Sequence, residues 1–233
     1  MNVVNFRDLG LIDYAAAWEL QRAVHEQRAC ARTRDTLIFC EHPPVITMGK
    51  SGKGANLLVA AAELARRGIE YFEVERGGDL TFHGPGQLIG YPIFKLARLR
   101  EVQGFVRKME ESIVRALAAF GVRGERRTDH PGVFVCGAKI ASIGAAVRRG
   151  VTFHGFALDV CTDPLYYRLI NPCGMADVSI TTLAVQAHAD VVVDSVKPHL
   201  RDALQDVFQI ELRDVVASAT DVARCDDGAA IPA

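Results

Sequence analysis

Hydrophobic positions along the chain follow two periods and predict a mixed domain of strands and helices. Alternating or short apolar runs predict strands, namely residues 3–9, 36–40, 45–48, 69–74, 88–96, 132–136, 139–147 and 152–160. Apolar positions at three- to four-residue spacing predict helices, namely residues 14–24, 57–67, 101–120, 163–169, 180–187 and 196–207. No linker divides residues 1–214, so we predict a single domain of the α+β class. Residues 215–233 turn to small and acidic side chains, which predicts a flexible C-terminal tail.

Composition and charge narrow the class of protein. Hydrophobic residues make up 49% of the chain and charged residues 24%, with a formal net charge of -1. This balance is ordinary for a globular protein and gives no global field to attract nucleic acid. The N-terminus lacks a secretory signal, and no apolar run approaches the ~20 residues that cross a bilayer. We therefore expect a cytoplasmic protein that binds neither nucleic acid nor membrane.

The six cysteines are scattered and include no Cys-x-x-Cys pair. In a reducing compartment an even count does not indicate disulfides, and most free cysteines behave as small buried hydrophobic residues. The histidines show no metal-ligand spacing, so we expect no metal site.

A glycine-rich segment covers residues 76–87, with the sequence RGGDLTFHGPGQ. Glycines permit positive φ and let a ligand approach the backbone. The segment has no Gly-Lys-Ser/Thr, and Pro85 interrupts any dinucleotide fingerprint. Turn glycines in an irregular hairpin would explain it equally well, so ligand binding and a structural hairpin both stay open.

The tetrapeptide Thr-Phe-His-Gly occurs at residues 81–84 and again at 152–155. The flanking sequences differ, so this is no repeat architecture. The duplication is either a coincidence or a sign that two strands bring His83 and His154 to the same place.

Two further residues are candidates for chemistry. Lys139 enters a strand of apolar and small residues, where a lysine either reaches solvent at the strand end or is partly buried. A buried lysine amine has a lowered pKa and can act as a base. Cys173 lies in Asn-Pro-Cys-Gly, and the proline and glycine around it predict an exposed turn. A reactive thiol needs a cationic or dipolar neighbour, for which Lys139, His83 and His154 are candidates.

Taken together and in order, these segments resemble the octanoyl-[acyl carrier protein]:protein transferases of lipoate biosynthesis. The resemblance runs from His-Pro-Pro-Val-Ile-Thr-Met-Gly-Lys at residues 42–50 to Thr-Thr-Leu at 181–183. Between them stand the glycine-rich segment, Lys-Ile-Ala at 139–141, His-Gly-Phe-Ala-Leu at 154–158 and Asn-Pro-Cys-Gly at 171–174. The chain departs from the family at Thr182, where serine is common, and at Asp159, where asparagine is common.

The resemblance implies a biotin/lipoate protein ligase-like fold, in which helices flank a mixed sheet and the acyl pocket lies at its centre. It implies that Cys173 is the acyl-thioester nucleophile and Lys139 its activating partner. The residues implied to bind substrate are Arg76, Gly77, Gly78, Asp79, Leu80, Thr81, Phe82, His83, Ser142, Ile143, Gly144, Gly155, Phe156 and Ala157.

The implied reaction moves an octanoyl group through Cys173 to a lysine, without a cofactor of the enzyme. The donor is octanoyl-acyl carrier protein, which delivers the group on its phosphopantetheine. The acceptors are lipoyl domains of 2-oxoacid dehydrogenase complexes and the glycine cleavage H protein, and a monomer is expected. Lys139 can serve as a base, as an electrostatic activator of the thiol, or as both.

Three other functions stay open. An ATP-dependent lipoate or biotin ligase would share the fold but would need an adenylate site and no nucleophilic cysteine. A thiol hydrolase would use a cysteine–histidine pair. A non-catalytic acyl-binding protein would not need Cys173.

Overall fold

The computed structural model describes residues 1–52, 54–128, 130–171 and 178–215. The helices of this part are α1 (Tyr14–Ala29), α2 (Ala61–Arg66), α3 (Val102–Ala118), α4 (Leu183–Ala187) and α5 (Val193–Phe208). Three short 3₁₀ helices cover Gly54–Asn56, Leu99–Glu101 and Pro164–Leu169. The strands are β1 (Asn2–Leu11), β2 (Thr36–Glu41), β3 (Val45–Met48), β4 (Glu70–Glu73), β5 (Leu80–His83), β6 (Gln87–Ile93), β7 (Glu125–Arg126), β8 (Gly132–Val135), β9 (Ala138–Arg148), β10 (Val151–Asp159) and β11 (Ile210–Asp214).

Within the described residues the strands form two sheets. The larger sheet has the order β11-β1-β2-β6-β10-β9-β8-β7, and the smaller one has the order β4-β3-β5. The larger sheet is mixed, because β1 pairs in parallel with β2 and β11 while its other pairs are antiparallel. In the smaller sheet β3 runs parallel to β4 and antiparallel to β5.

The larger sheet is buried on both faces, as β2 shows. Leu37 and Phe39 face a core shared with α3 and α5, whereas Ile38 and Cys40 face a second core shared with α1. Successive side chains of a strand point to opposite faces, so a strand covered on both sides is apolar throughout instead of alternating. Burying an average core side chain stabilises the fold by roughly 1.5–3 kcal/mol, and these two cores hold the sheet between its helices.

Most predicted elements have counterparts, with three corrections. The helix predicted over residues 57–67 is confined to α2, because residues 57–58 are instead tied to residues 169–170 by backbone hydrogen bonding. The predicted helix 163–169 is a 3₁₀ helix that begins at Pro164 and is capped by Asp163. The predicted helix 180–187 begins only at Leu183, because residue 180 pairs with the backbone of β9.

Three strands, β5, β7 and β11, lie where no strand was predicted. β5 occupies the second half of the glycine-rich segment, and β11 extends the large sheet beside β1. The proposed tail at 215–233 lies outside the described residues except for residue 215. No helix of the described part is long and apolar enough to cross a bilayer.

Candidate active site

Two adjoining cavities lie where the glycine-rich segment meets β9 of the larger sheet. The inner cavity has a volume of about 40 Å³ and is lined by Tyr14, Arg76, Gly77, Gly78, Thr81, His83, Tyr91, Ser142, Ile143, Gly144, His154, Gly155, Phe156 and Ala157. The outer cavity has a volume of about 390 Å³ and is lined by Ser51, Gly77, Gly78, Asp79, Val102, Val106, His130, Pro131, Lys139, Ile143, Gly144 and Ala145. The residues common to both are Gly77, Gly78, Ile143 and Gly144. A small cavity therefore lies next to a larger one that is lined by Lys139.

Two glycines on the wall of the inner cavity allow close packing. A Cβ at Gly144 would lie 3.1 Å from Arg76 Cδ and 3.2 Å from the Gly77 carbonyl oxygen, so these neighbours would have to shift by a few tenths of an ångström. A Cβ at Gly155 would overlap the carbonyl oxygen of Gly90 on the neighbouring strand. Gly155 therefore lets β10 approach β6 more closely than any side chain would allow, and Gly144 lets β9 pack tightly against the glycine-rich segment.

Lys139 is buried, with 2% of its surface exposed. It lines the outer cavity, and its Nζ lies 5.8 Å from the centre of the Phe134 ring. Its backbone N–H donates to Ser179 at 2.8 Å, and its carbonyl accepts from Thr181 at 2.9 Å. Lys139 is therefore on the wall of a cavity instead of reaching solvent at the strand end.

Arg76 is anchored by several hydrogen bonds. Its Nε and Nη2 donate to Thr47 Oγ1 at 3.1 and 2.9 Å, and Nη2 also donates to the Thr47 carbonyl at 2.6 Å. Nη1 donates to the carbonyl of Gly77 at 3.1 Å. The guanidinium thus holds β3 and the glycine-rich segment together and places a buried positive charge beside the inner cavity.

A buried polar network reaches the inner cavity through His83. His83 Nδ1 lies 2.8 Å from Gln87 Oε1, and Gln87 Nε2 donates to Asp159 Oδ1 at 2.8 Å. Tyr167 OH lies 3.0 Å from both oxygens of Asp159. Burial raises the pKa of Asp159 to about 7, although hydrogen bonds from Gln87 and Tyr167 and the charge of Lys139 oppose the rise. Burial, with nearby His42, lowers the pKa of His83 to about 3, so His83 is neutral at pH 7.

A second histidine, His42, contacts Tyr91, a residue on the wall of the inner cavity. Its Nδ1 lies 2.7 Å from the Ile12 carbonyl, and its Nε2 lies 2.7 Å from Tyr91 OH. A carbonyl only accepts, so Nδ1 carries the proton and the Tyr91 hydroxyl donates to Nε2. Burial lowers the pKa of His42 to about 4.

The Tyr14 ring stacks on the His83 ring at 6.0 Å between centres.

His154 occupies a strained backbone conformation on the cavity wall. Its φ is 56°, which lies in the left-handed region and costs a residue other than glycine roughly 1–3 kcal/mol. Its backbone N–H donates to Gln21 Oε1 at 2.9 Å. Its Nε2 lies 3.6 Å from Glu75 Oε2, which accepts from Trp18 Nε1 at 3.2 Å. Burial lowers the pKa of His154.

The structure places the residues implied by the resemblance in three groups. Those on the wall of the inner cavity are Arg76, Gly77, Gly78, Thr81, His83, Ser142, Ile143, Gly144, Gly155, Phe156 and Ala157. Asp79 and Lys139 line the outer cavity. Cys173 lies outside the described residues, so its role stays a prediction.

Leu80 and Phe82 require a correction, because their side chains pack in the core beside the small sheet instead of lining a described cavity. Alternation along β5 explains this, since Thr81 and His83 face the inner cavity whereas Leu80 and Phe82, which alternate with them, face the other way. The duplicated tetrapeptide brings both its histidines, His83 and His154, to the inner cavity.

Several residues of the site were not predicted. They are Tyr14 and Tyr91 in the inner cavity, and Ser51, Val102, Val106, His130, Pro131 and Ala145 in the outer one. Tyr14 and Tyr91 belong to apolar patterns, which do not distinguish the wall of a cavity from a packed core. No group of three or more His, Cys, Asp or Glu side chains that could hold a metal lies in the described part.

Similarity to known proteins agrees with this geometry. Residues 13–205 match the family model described as the lipoyl protein ligase A/B catalytic domain. An octanoyltransferase of Chloroflexus aggregans is 45% identical over 190 residues, covering 80% of this chain and 86% of the relative. An octanoyltransferase of Parabacteroides distasonis is 40% identical over 220 residues, covering 89% of this chain and all of the relative.

The fold is similar to that of a bi-partite lipoate protein ligase from Thermoplasma acidophilum, solved in a study that included its E2 lipoyl domain. The TM-score is 0.76 at 16% identity, covering 95% of this chain and 89% of that one. The predicted mixed sheet flanked by helices, of the lipoate ligase kind, is thereby confirmed. The chain belongs to the lipoyl protein ligase A/B catalytic domain family and, within it, to the octanoyltransferases.

Proposed function

We propose that this protein transfers an octanoyl group from octanoyl-acyl carrier protein to a lysine of a lipoyl domain, through a thioester on Cys173. The observation that carries the proposal is Lys139, a buried amine on the wall of a cavity in a member of the octanoyltransferases. A buried lysine without a chemical task is rare, because taking its charge out of water is costly.

The backbone next to the proposed nucleophile supports a pairing of the two residues. On the N-terminal side, Asn171 N–H donates to the Asn56 carbonyl at 2.8 Å. On the C-terminal side, Ser179 and Thr181 hydrogen-bond to the backbone of Lys139 itself. The segment that contains Cys173 therefore begins and ends at anchored residues, one end of which is tied to the strand that carries Lys139.

The first step exchanges one thioester for another. The Cys173 thiol gives its proton to Lys139, and the thiolate attacks the thioester carbon of the donor. The new carbon–sulfur bond forms while the bond to the phosphopantetheine sulfur breaks, and that sulfur leaves as a thiol with the proton returned from Lys139. The exchange is close to balance, so it needs no ATP.

The second step forms the amide. A neutral lysine amine of the lipoyl domain attacks the Cys173 thioester carbon. The carbon–nitrogen bond forms while the carbon–sulfur bond breaks, and Lys139 passes the proton lost by the attacking nitrogen to the Cys173 sulfur, which regenerates the thiol. A free lysine amine is less than about 0.1% deprotonated at neutral pH, given a reference pKa near 10.4. A base is therefore needed again, and Lys139 takes this role as well.

Intact mass spectrometry after incubation with octanoyl-acyl carrier protein tests the proposal. We expect a mass increase of one octanoyl group, which Cys173→Ala abolishes and which an apo lipoyl domain then removes. Absence of an adduct would refute the thioester. Octanoylation that requires free acid and ATP would indicate a ligase, and release of free octanoate without an amide would indicate a thiol hydrolase.

A further inference from the structure

The buried side chain of Gln87 can adopt only one orientation. Its Nε2 has three neighbours, which are the Phe82 carbonyl at 3.3 Å, Asp159 Oδ1 at 2.8 Å and Tyr167 OH at 2.9 Å. The Phe82 carbonyl only accepts hydrogen bonds, so the Gln87 atom that faces it must be the NH₂ group. With the amide reversed, the Gln87 oxygen would lie against the Phe82 carbonyl oxygen, and neither atom could donate a hydrogen bond to the other.

This orientation decides which nitrogen of His83 carries a proton. The amide oxygen of Gln87 points at His83 Nδ1 from 2.8 Å and can only accept. Nδ1 must therefore be protonated. Because burial holds His83 neutral at pH 7, the other nitrogen, Nε2, keeps its lone pair.

The ring of His83 is also fixed in place. Tyr14 stacks on one face, with 8° between the planes, and His42 meets it edge-on at 6.1 Å between centres. His83 lines the inner cavity, and no described residue hydrogen-bonds to its Nε2. The ring thus presents a hydrogen-bond acceptor, and no donor, to whatever enters this cavity.

We propose that His83 contacts the substrate through Nε2 as a hydrogen-bond acceptor, and that Gln87, held by Asp159 and Tyr167, is the positioning residue that keeps the proton on Nδ1. An N–H or O–H group is required opposite Nε2. In the proposed reaction, on which this part of the inference rests, the group is an N–H of the attacking amine. His83 consequently does not donate to the thioester oxygen, and that oxygen is stabilised by other groups.

The tautomer can be observed directly in the unmodified protein. Two-bond ¹H–¹⁵N correlation spectra of the ¹⁵N-labelled protein distinguish the two neutral tautomers and the imidazolium. The His83 signal is assigned as the one missing from His83→Asn. We expect a proton on Nδ1 alone throughout pH 6–8, and the same result in Asp159→Asn, whose amide oxygen still accepts from Gln87. A proton on Nε2 would overturn the inference, whether or not the protein transfers octanoyl groups.

Two substitutions at position 83 separate contact with substrate from a structural role. The side-chain NH₂ of His83→Asn can still donate to Gln87 but offers nothing at the position of Nε2. His83→Gln reverses this, because its amide oxygen reaches the position of Nε2. We expect a loss of about tenfold or more in kcat/KM for the asparagine variant, the typical value of one hydrogen bond, and a smaller loss for the glutamine variant.

If His83→Asn is as active as His83→Gln, or more active, then only the hydrogen bond to Gln87 matters, and the proposed contact between His83 Nε2 and the substrate is refuted. His25→Asn is the matched control, because His25 is a buried histidine outside both cavities and is expected to keep transfer unchanged. Gln87→Leu removes the amide that fixes His83, so we expect a mixture of tautomers in the spectrum and a lower kcat/KM. An unchanged tautomer in that variant would refute the positioning role of Gln87.

Discussion

The carboxyl group of Asp159 makes the stability of the fold depend on pH in an unusual direction. Burial raises its pKa from 3.8 to about 7. Between these values the folded protein holds a proton that the unfolded chain has released, so unfolding releases a proton and a rising pH favours unfolding. At 1.36 kcal/mol per pH unit, the interval corresponds to about 4 kcal/mol in total, of which about 2–3 kcal/mol is lost between pH 5 and pH 8.

Asp159→Asn removes the titrating carboxyl group, and with it this pH-dependent contribution to stability, while keeping an oxygen that accepts a hydrogen bond from Gln87. We expect the variant to gain about 2–3 kcal/mol in free energy of unfolding, relative to the original protein, on going from pH 5 to pH 8. Histidines with lowered pKa values, such as His42 and His83, have the opposite effect on stability, but they are present in both proteins and cancel in the difference.

Urea denaturation at pH 5 and pH 8 measures the difference, provided the m-values of the two proteins agree. Asp202→Asn, at an exposed aspartate on α5, is the control and is expected to change stability little at either pH. A difference between Asp159→Asn and the original protein that is the same at both pH values would refute the reasoning. It would mean that the buried carboxyl group is not protonated in the folded state.

Three further predictions concern the site and its frame. Lys139→Arg keeps a positive charge but does not accept a proton at neutral pH. Because Lys139 is the base in the proposed reaction, we expect transfer to the lipoyl domain to be lost in this variant, whereas alkylation of Cys173 by iodoacetamide is slowed less than in Lys139→Met; transfer at the original rate would contradict the role of base. Gly144→Val places methyl groups against Arg76, so we expect a loss of transfer of at least tenfold with the fold retained by circular dichroism, and normal activity would contradict the close approach. Gly104→Ala fills open space on an exposed turn of α3 and should raise the free energy of unfolding by about 0.5–1 kcal/mol with unchanged transfer; a destabilised variant would contradict it.

The local hydrophobic pattern was sufficient to predict the elements whose apolar residues repeat with a strong period. The strands β2, β9 and β10 and the helix α3 have strong periods and were predicted within a few residues. β11 was not predicted, because its short alternating run is stabilised by parallel pairing with β1, which is distant in the sequence. β5 was not predicted because glycines surround it, although its four residues are buried between the sheets.

The candidate site was only partly accessible to sequence reasoning. The glycine-rich segment and Lys139 were each ambiguous alone and were selected because they occur in the order of a known family, and the structure places both on the walls of adjoining cavities. Asp159 was noted only as a departure from the family, with no part in the chemistry. Its hydrogen bonds to Gln87 and Tyr167 join residues that are distant in sequence, and the raised pKa comes from burial. No local pattern carries either kind of information.

The hydrogen bonds between Lys139 and residues 179 and 181 constrain how this site can evolve. They attach Ser179, which follows Cys173 by six positions in the sequence, to the backbone of Lys139, so the length of chain between positions 173 and 179 limits how far the proposed nucleophile can lie from the lysine. A substitution within that interval leaves the length of chain unchanged, whereas an insertion or a deletion alters it. We therefore expect natural members of the family to vary in the residues of this interval far more freely than in their number.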